Sequence, residues 1–186
     1  MLRIIAGKFR GKKILSPKTK FVRPTSDRSK EMIFNTLHSI FKNEELHMED
    51  TTVLDTFCGT GSLGIECLSR GAKKVFFVDN SKTSISLTKK NLDTLNIKNS
   101  YQILKIDLTK KLKKKKEINL FFMDPPYKKS ILNSSLENLI KSGWLRRNAI
   151  GVVESEKSFK IKIIDKIHVI KEKIIGDSKF LFTQLY

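Results

Sequence analysis

The sequence predicts an α/β protein built around a mostly parallel sheet of seven strands. Between residues 52 and 154, short runs of almost purely apolar residues alternate with longer amphipathic stretches. This is the pattern of parallel strands that helices cover on both faces of a sheet. From residue 161 onward, two runs alternate apolar and polar residues, which is typical of an antiparallel hairpin. Five strands of the first kind and two of the second make up the predicted sheet.

The elements can be placed in chain order. The basic first 24 residues are expected to contain a small hairpin made by residues 2–5 and 12–15. Thr25-Ser26-Asp27 is a helix-start signal, and apolar residues at helical spacing continue that helix to about Asn43. The remaining strands are predicted at 53–57, 74–78, 101–106, 118–123, 149–154, 161–170 and 179–185, and the remaining helices at 62–70, 81–96 and 131–141. We therefore divide the chain into an N-terminal hairpin, residues 1–24, which serves as an appendage, and one domain, residues 25–186.

The charge balance indicates a polyanionic partner. The 186 residues include 37 Lys and Arg against 19 Asp and Glu, a formal net charge of +18. Such an excess favours nucleic acid first and an anionic membrane surface second. No apolar run approaches the ~18 residues of a membrane span and the first residues do not form a signal peptide, so we expect a cytoplasmic protein. Two cysteines without CxxC spacing predict neither a disulfide framework nor a metal site.

A glycine-rich loop follows the first strand of the predicted sheet. The sequence DTFCGTGSLG, residues 55–64, lies where that strand meets the next helix. Glycines let the backbone turn tightly and approach a nucleoside ligand, while the helix N-terminus offers free N–H groups. Asp79 ends the next strand, 18 residues after Gly61, which is close to the ~20 residues expected for a carboxylate that binds ribose hydroxyls. The alternative role of Asp79 is to cap the helix that follows.

The acidic residue at the start of the loop distinguishes between two cofactors, NAD and S-adenosylmethionine. A carboxylate at Asp55 suits the ammonium group of S-adenosylmethionine, whereas it would repel the pyrophosphate of NAD. The sequence therefore predicts S-adenosylmethionine, with the adenine edge near the end of the third strand of the parallel sheet. The expected cofactor-binding residues are Asp55, Phe57, Gly59, Gly61, Asp79, Asp107 and Leu108.

The tetrapeptide Asp124-Pro125-Pro126-Tyr127 directly follows the fourth parallel strand. In an open sheet of order 3-2-1-4-5 the first and fourth strands are neighbours, so we expect this turn beside the glycine loop. Prolines lack the N–H donor, so their carbonyls can only accept hydrogen bonds. The Asp124 carboxylate and a rigid carbonyl can accept both protons of an exocyclic amine, and Tyr127 offers a ring on which a flipped base can stack. These four residues are the predicted catalytic residues.

The turn DPPY after a fourth strand resembles the amino-methyltransferases, which methylate exocyclic nitrogens of adenine, cytosine or guanine. Nearly the whole chain resembles the RsmD-type bacterial 16S rRNA (guanine-N2)-methyltransferases, in the motifs RIIAGKFRGKK, RPTSDR, DTFCGTGSLGIECLSRGA, FVD, FMDPPY and VVESE. The resemblance implies a Rossmann-like class I S-adenosylmethionine-dependent methyltransferase fold. It also implies S-adenosylmethionine as donor and one guanine of small-subunit rRNA, free or in a partly assembled subunit, as acceptor. The chain is expected to be a minimal member without extensions.

Several basic residues are candidates for RNA contacts. Those in the glycine-jointed N-terminal segment could fold over a substrate, and the resemblance places the RPTSDR turn near the active site. The candidates are Arg3, Lys8, Arg10, Lys12, Arg23 and Arg28. The lysine run at 110–116 is interpreted instead as a solvated face, because it lies at the opposite edge of the sheet. An ion pair with Asp27 or Glu31 is the alternative role of Arg28.

Three other functions remain open from the sequence. A DNA adenine-N6 methyltransferase uses the same tetrapeptide, although 186 residues leave little room for target recognition. An RNA-binding assembly factor that has lost activity would keep the basic segment, and an NAD oxidoreductase would keep the glycine loop. The target nucleotide and the choice between free rRNA and a subunit are not determined, and we expect a monomer.

Overall fold

The computed structural model describes residues 2–16, 25–112, 116–126, 129–159 and 166–186, with only the backbone described at 129 and 130. The chain divides into two compact units, Met1–Lys105 and Ile106–Tyr186. The boundary predicted after residue 24 adjoins residues outside the described ranges, so the division into 1–24 and 25–186 stays a prediction.

The first unit begins with the predicted small hairpin. Strands β1 (Leu2–Arg3) and β2 (Lys13–Ile14) pair antiparallel, with Leu2 opposite Ile14. Helix α1 (Asp27–Asn43) begins where the sequence predicts, because the side chain of Ser26 accepts a hydrogen bond from the Ser29 N–H and so caps the helix. The hairpin and the helix are both confirmed.

The parallel part of the first unit consists of three strands and two helices. Its elements are β3 (Thr52–Thr56), α2 (Ser62–Ser69), β4 (Lys74–Asp79), α3 (Lys82–Thr94) and β5 (Tyr101–Lys105), with a 3₁₀ turn at Met48–Asp50. Strand β4 lies between β3 and β5 and is parallel to both. Its residues from Val75 to Val78 are buried, which is why this strand reads as a continuous apolar run.

The second unit carries the C-terminal hairpin. Its elements are β6 (Ile118–Met123), α4 (Lys129–Lys141), β7 (Leu145–Glu156), β8 (Ile167–Ile175) and β9 (Ser178–Leu185). Strand β6 is parallel to β7, and β9 lies antiparallel between β7 and β8. The seven-stranded, mostly parallel sheet with an antiparallel C-terminal hairpin is confirmed.

Two strands of this unit differ from their predicted bounds by several residues. Strand β7 starts at Leu145 instead of residue 149, because Leu145 pairs with Ile118 ahead of an irregularity in the ladder. Strand β8 extends to Ile175 instead of ending at 170, because Gly176, with a φ of 57°, turns the chain directly into β9. The first predicted residues of that strand, 161–165, lie outside the described ranges.

Strand β8 is the last strand in the order of the sheet. Its apolar residues Val169, Ile170 and Ile174 are exposed, and the charged residues Lys171, Glu172 and Lys173 lie between Ile170 and Ile174. Within the part of the chain that the structure describes, no helix is long and apolar enough to cross a membrane.

Candidate active site

Asp55, near the end of β3, is fixed to the start of helix α2. Its side chain is only 3% exposed, and Oδ2 accepts a hydrogen bond from the N–H of Gly64 at 2.9 Å. Gly61 begins the helix without a capping side chain, so Asp55, nine residues before Gly64 in the sequence, accepts the Gly64 N–H of the first turn in place of a cap. Burial raises the pKa of Asp55 to about 7, since the Gly64 hydrogen bond offsets only part of the desolvation and the Asp79 carboxylate adds to the rise.

Asp79 joins the end of β4 to the glycine loop. Oδ2 accepts the N–H of Gly59 at 3.1 Å, and Oδ1 accepts the N–H of Ser81 at 2.9 Å. Ser81 itself caps α3 by accepting the Ser84 N–H. Asp79 therefore takes part in the start of α3, and it also holds the loop. Each carboxylate oxygen keeps a second lone pair for a ligand hydroxyl, so ribose binding stays a prediction.

The loop depends on backbone conformations that glycine supplies. Gly59 and Gly61 have φ values of 54° and 76°, and Phe57 adopts 53° although it carries a side chain. Gly64 lies against β4, where a Cβ atom would come within 2.3 Å of Phe77 Cε1. The glycines thus serve both the turn and the close packing of α2 on the sheet.

Two buried residues of α3 support the loop, and the sequence did not single them out. Thr88 donates from Oγ1 to the carbonyl oxygen of Gly59 at 3.1 Å, and Asn91 donates from Nδ2 to that of Thr60 at 2.9 Å. Both side chains are fully buried. Their spacing of three residues puts them on one helix face, which is the only signal the sequence offered.

The N-terminal segment is anchored to α2. Glu66 is fully buried and its carboxylate accepts the N–H groups of Ile5 at 2.9 Å and Ala6 at 3.0 Å. Ser69 donates from Oγ to Ala6 O at 2.5 Å, and its own carbonyl accepts the Lys8 N–H at 2.7 Å. The glycine-jointed segment is therefore docked on the helix that follows the glycine loop.

Gly7 allows this docking. With a φ of 77° it presents its backbone to α2, where a Cβ atom would lie 1.9 Å from the carbonyl oxygen of Ser69. No other residue type fits this position without moving the segment away from the helix.

The predicted RNA contacts differ in their surroundings. Side chains of Lys8, Arg10, Lys12 and Arg28 are exposed, and Arg23 lies outside the described residues. Arg3 forms an ion pair from Nε to Asp27 Oδ2 at 2.7 Å.

The alternative role of Arg28 was an ion pair with Asp27 or Glu31, and neither pair occurs among the described residues. Asp27 pairs with Arg3 and with the fully buried Lys30, whose Nζ lies 3.3 Å from Asp27 Oδ1 and also donates to the Arg3 carbonyl. Burial acts to raise the pKa of Asp27, but these two cations lower it further, so the net shift is downward. The pair ties β1 to the start of α1.

The second unit contains the other predicted site residues. Asp107 accepts the N–H of Thr109 at 3.0 Å and its hydroxyl at 2.6 Å, and these bonds lower the pKa of Asp107. Leu108 is buried and its carbonyl accepts Nδ2 of Asn138 at 3.1 Å. These contacts form a turn after β5, and a cofactor role for both residues stays a prediction.

The DPPY turn directly follows β6, as predicted. Asp124 is half-buried, Pro125 is buried and Pro126 is exposed, while Tyr127 lies outside the described residues. The predicted lysine face is described at Lys110, Lys111 and Lys116, of which the first two are exposed and Lys116 is half-buried.

Known proteins resemble this chain along nearly its whole length. A family model described as "Conserved hypothetical protein 95" matches residues 2–184. The chain is 35% identical over 179 residues to the ribosomal RNA small subunit methyltransferase D of Haemophilus influenzae, a match that covers 94% of this chain and 89% of that relative. The chain belongs to this methyltransferase family. The resemblance to RsmD-type proteins found in the motifs is confirmed.

Solved structures place this RsmD-family chain in the expected fold. It superposes on the Escherichia coli protein yhhF with a TM-score of 0.83 at 28% identity, covering 99% of this chain and 97% of that one. The 16S rRNA N2 methyltransferase RsmC of Thermus thermophilus, solved in complex with AdoMet and guanosine, shares the fold with a TM-score of 0.65 at 19% identity, over 91% of this chain and 45% of that one. The predicted Rossmann-like methyltransferase fold is confirmed.

Proposed function

We propose that this protein transfers a methyl group from S-adenosylmethionine to the exocyclic N2 of one guanine in 16S rRNA. The observation that carries the proposal is the acid-flanked glycine loop, in which the Asp55 and Asp79 carboxylates accept hydrogen bonds from the N–H groups of Gly64 and Gly59. Membership of a family that includes ribosomal RNA small subunit methyltransferase D supports the substrate class.

The loop residues fit this cofactor better than a dinucleotide. Asp55 is a buried carboxylate with an oxygen lone pair to spare, and a ligand ammonium group would favour its ionised form. Asp79 would accept the ribose hydroxyls, and two carboxylates at this loop would repel the pyrophosphate of NAD. The fold is compatible with both proposed ligands, because the Thermus thermophilus neighbour was solved with AdoMet and guanosine.

The DPPY turn would orient the acceptor. S-adenosylmethionine, when bound, supplies an electrophilic methyl group. We assign to the Asp124 carboxylate and the Pro125 carbonyl the role of accepting hydrogen bonds from the two protons of the guanine N2 amine. These bonds direct the nitrogen lone pair at the methyl group, and Tyr127 stacks on the flipped base. Pro126 keeps the turn rigid and free of a competing N–H. Positioning of this kind contributes ~7–11 kcal/mol in favourable intramolecular reactions, so the turn needs no covalent chemistry.

The basic residues would hold the RNA by its phosphates. With a net charge of +18, the chain is suited to 16S rRNA or a partly assembled small subunit. The exposed Lys8, Arg10, Lys12 and Arg28 are assigned to these contacts, together with Arg3 and Arg23. We place the reaction in the cytoplasm and expect the protein to act as a monomer.

Methyl transfer measured with labelled S-adenosylmethionine tests the proposal. The substrates are 16S rRNA, small-subunit particles and duplex DNA. The products are digested to nucleosides and identified by mass spectrometry. We expect N2-methylguanosine from the ribosomal substrates and no methylation of DNA. N6-methyladenine in DNA would identify a DNA methyltransferase, and RNA binding without transfer would identify an assembly factor. Calorimetric binding of NAD without binding of S-adenosylmethionine would reject the methyltransferase function itself.

A further inference from the structure

Asn91 connects two segments that the proposed function uses separately. From the buried face of α3 it donates one Nδ2 proton to Thr60 O in the glycine loop, at 2.9 Å. The second Nδ2 proton goes to Leu15 O at 3.1 Å, and Oδ1 accepts the Leu15 N–H at 2.7 Å. The side chain thus pairs with Leu15 by the two hydrogen bonds that a neighbouring strand would supply, and its remaining donor bonds to the glycine loop.

The chemistry of this position requires an amide of this length. Asp has the same shape but no donor, Ser and Thr have one donor, and Leu has neither donor nor acceptor. A buried polar group costs free energy unless its hydrogen bonds are made, so an apolar residue would serve a purely packing role on α3 equally well. The arrangement therefore indicates a linking role for Asn91.

The other end of the basic segment is tied to the same support. Glu66 and Ser69 hold residues 5–9 on α2, and α2 begins at the glycine loop. Thr88 holds the loop as well, through Gly59 O, but bonds to no residue of the N-terminal segment among those that the structure describes. Among the residues that the structure describes, Asn91 is thus the side chain that bonds both to the loop and to the segment.

We propose that Asn91 is a positioning residue that links the RNA-contacting N-terminal segment to the cofactor loop, so that RNA and S-adenosylmethionine bind cooperatively. The inference rests on the proposed function, because it needs both ligands. A ligand that orders Thr60 also orders Leu15 through Asn91, and the reverse holds for RNA on the basic segment. By linkage, each ligand raises the affinity for the other by the same factor, typically ~5–150-fold for coupled sites.

The experiment measures that factor in the full-length protein. The dissociation constant of S-adenosylmethionine is measured by calorimetry with and without a saturating 16S rRNA fragment, in the wild type, in Asn91→Leu and in Thr88→Val. We expect about fivefold or more coupling in the wild type and less than about twofold in Asn91→Leu. Thr88→Val loosens the same loop without touching Leu15, so it should weaken cofactor binding and keep the wild-type factor.

A second measurement needs no variant. Amide hydrogen exchange of Leu15 in the wild type should slow when S-adenosylmethionine is added without RNA. The linking role is overturned if the coupling factor of the wild type is one or if exchange at Leu15 is unchanged. It is also overturned if Thr88→Val loses as much coupling as Asn91→Leu. Failure of either ligand to bind the wild type is a different result, since it rejects the proposed function and the inference with it.

Discussion

Replacing Asp55 by Asn should make the protein more stable above neutral pH. The carboxylate is 3% exposed and its pKa is raised from 3.8 to about 7. The folded state therefore holds this proton more tightly than the unfolded chain does. Its contribution to the free energy of unfolding is fully present below pH ~4 and is lost as the pH rises through ~7. Integrated over that shift, the loss between pH 5 and pH 8 is about 2–3 kcal/mol.

Asparagine removes this loss and keeps the local structure. Its Oδ1 can still accept the Gly64 N–H, and it stays neutral at every pH. Urea unfolding of both proteins at pH 5, 6, 7 and 8 gives the difference in stability, in which the titrating groups that do not interact with residue 55 cancel. We expect the variant to gain about 2–3 kcal/mol over the wild type across this range.

The same substitution should weaken binding of the cofactor. Losing a hydrogen bond to a charged group costs ~1.5–3 kcal/mol, so the affinity for S-adenosylmethionine should fall about 10–100-fold. A difference in stability that does not change with pH would show that the buried carboxylate has an ordinary pKa. Unchanged cofactor affinity would show that it does not meet the ligand.

Three further variants test the other assignments. Asp124→Ala removes the acceptor that orients the amine, so single-turnover methyl transfer should slow by about two orders of magnitude while RNA and cofactor affinities stay within roughly threefold. Arg10→Ala with Lys12→Ala should reduce the slope of log K against log salt by ~0.7–0.9 per lost phosphate contact, as measured by RNA binding at several salt concentrations. Gly64→Ala puts a Cβ atom 2.3 Å from Phe77 Cε1 and should cost ~1–3 kcal/mol, as measured by thermal unfolding.

Each of these has a result that would contradict it. Transfer at the wild-type rate in Asp124→Ala refutes the proposed chemistry. Replacing the exposed Lys110 and Lys111 is the control for the basic segment, and a larger effect there would move the RNA-binding face to the second unit. An unchanged melting temperature in Gly64→Ala would mean that α2 can move away from β4 at no cost.

The elements that the sequence predicted well are those with strong local signals. Strand β6 was predicted with its observed bounds because its apolar run stops at a proline turn, and α1 begins at its Ser26 cap. Strand β8 was predicted to end at residue 170 because Lys171-Glu172-Lys173 interrupts its apolar residues, whereas the strand continues to Ile175. The turn at Gly176 sets the end of β8.

The supports of the site were missed for a different reason. Glu66 and Asn91 bond to backbone groups of residues 5, 6, 15 and 60, which are distant in the sequence and carry no pattern of their own. Glu66, a charged residue inside the apolar sequence of α2, was the one sign in the sequence that a buried hydrogen-bond partner existed. Only the structure shows that its partners are the N–H groups of Ile5 and Ala6.

The exposed strand β8 affects how the protein can be handled. An edge strand with exposed apolar residues is a template for pairing with a second copy, and Lys171 and Lys173 oppose this by charge repulsion. In 1 M salt the Debye length falls to ~3 Å, so that repulsion is screened. The salt wash that strips bound RNA from a basic protein therefore also removes its protection against aggregation, and dilution of the protein should precede the wash.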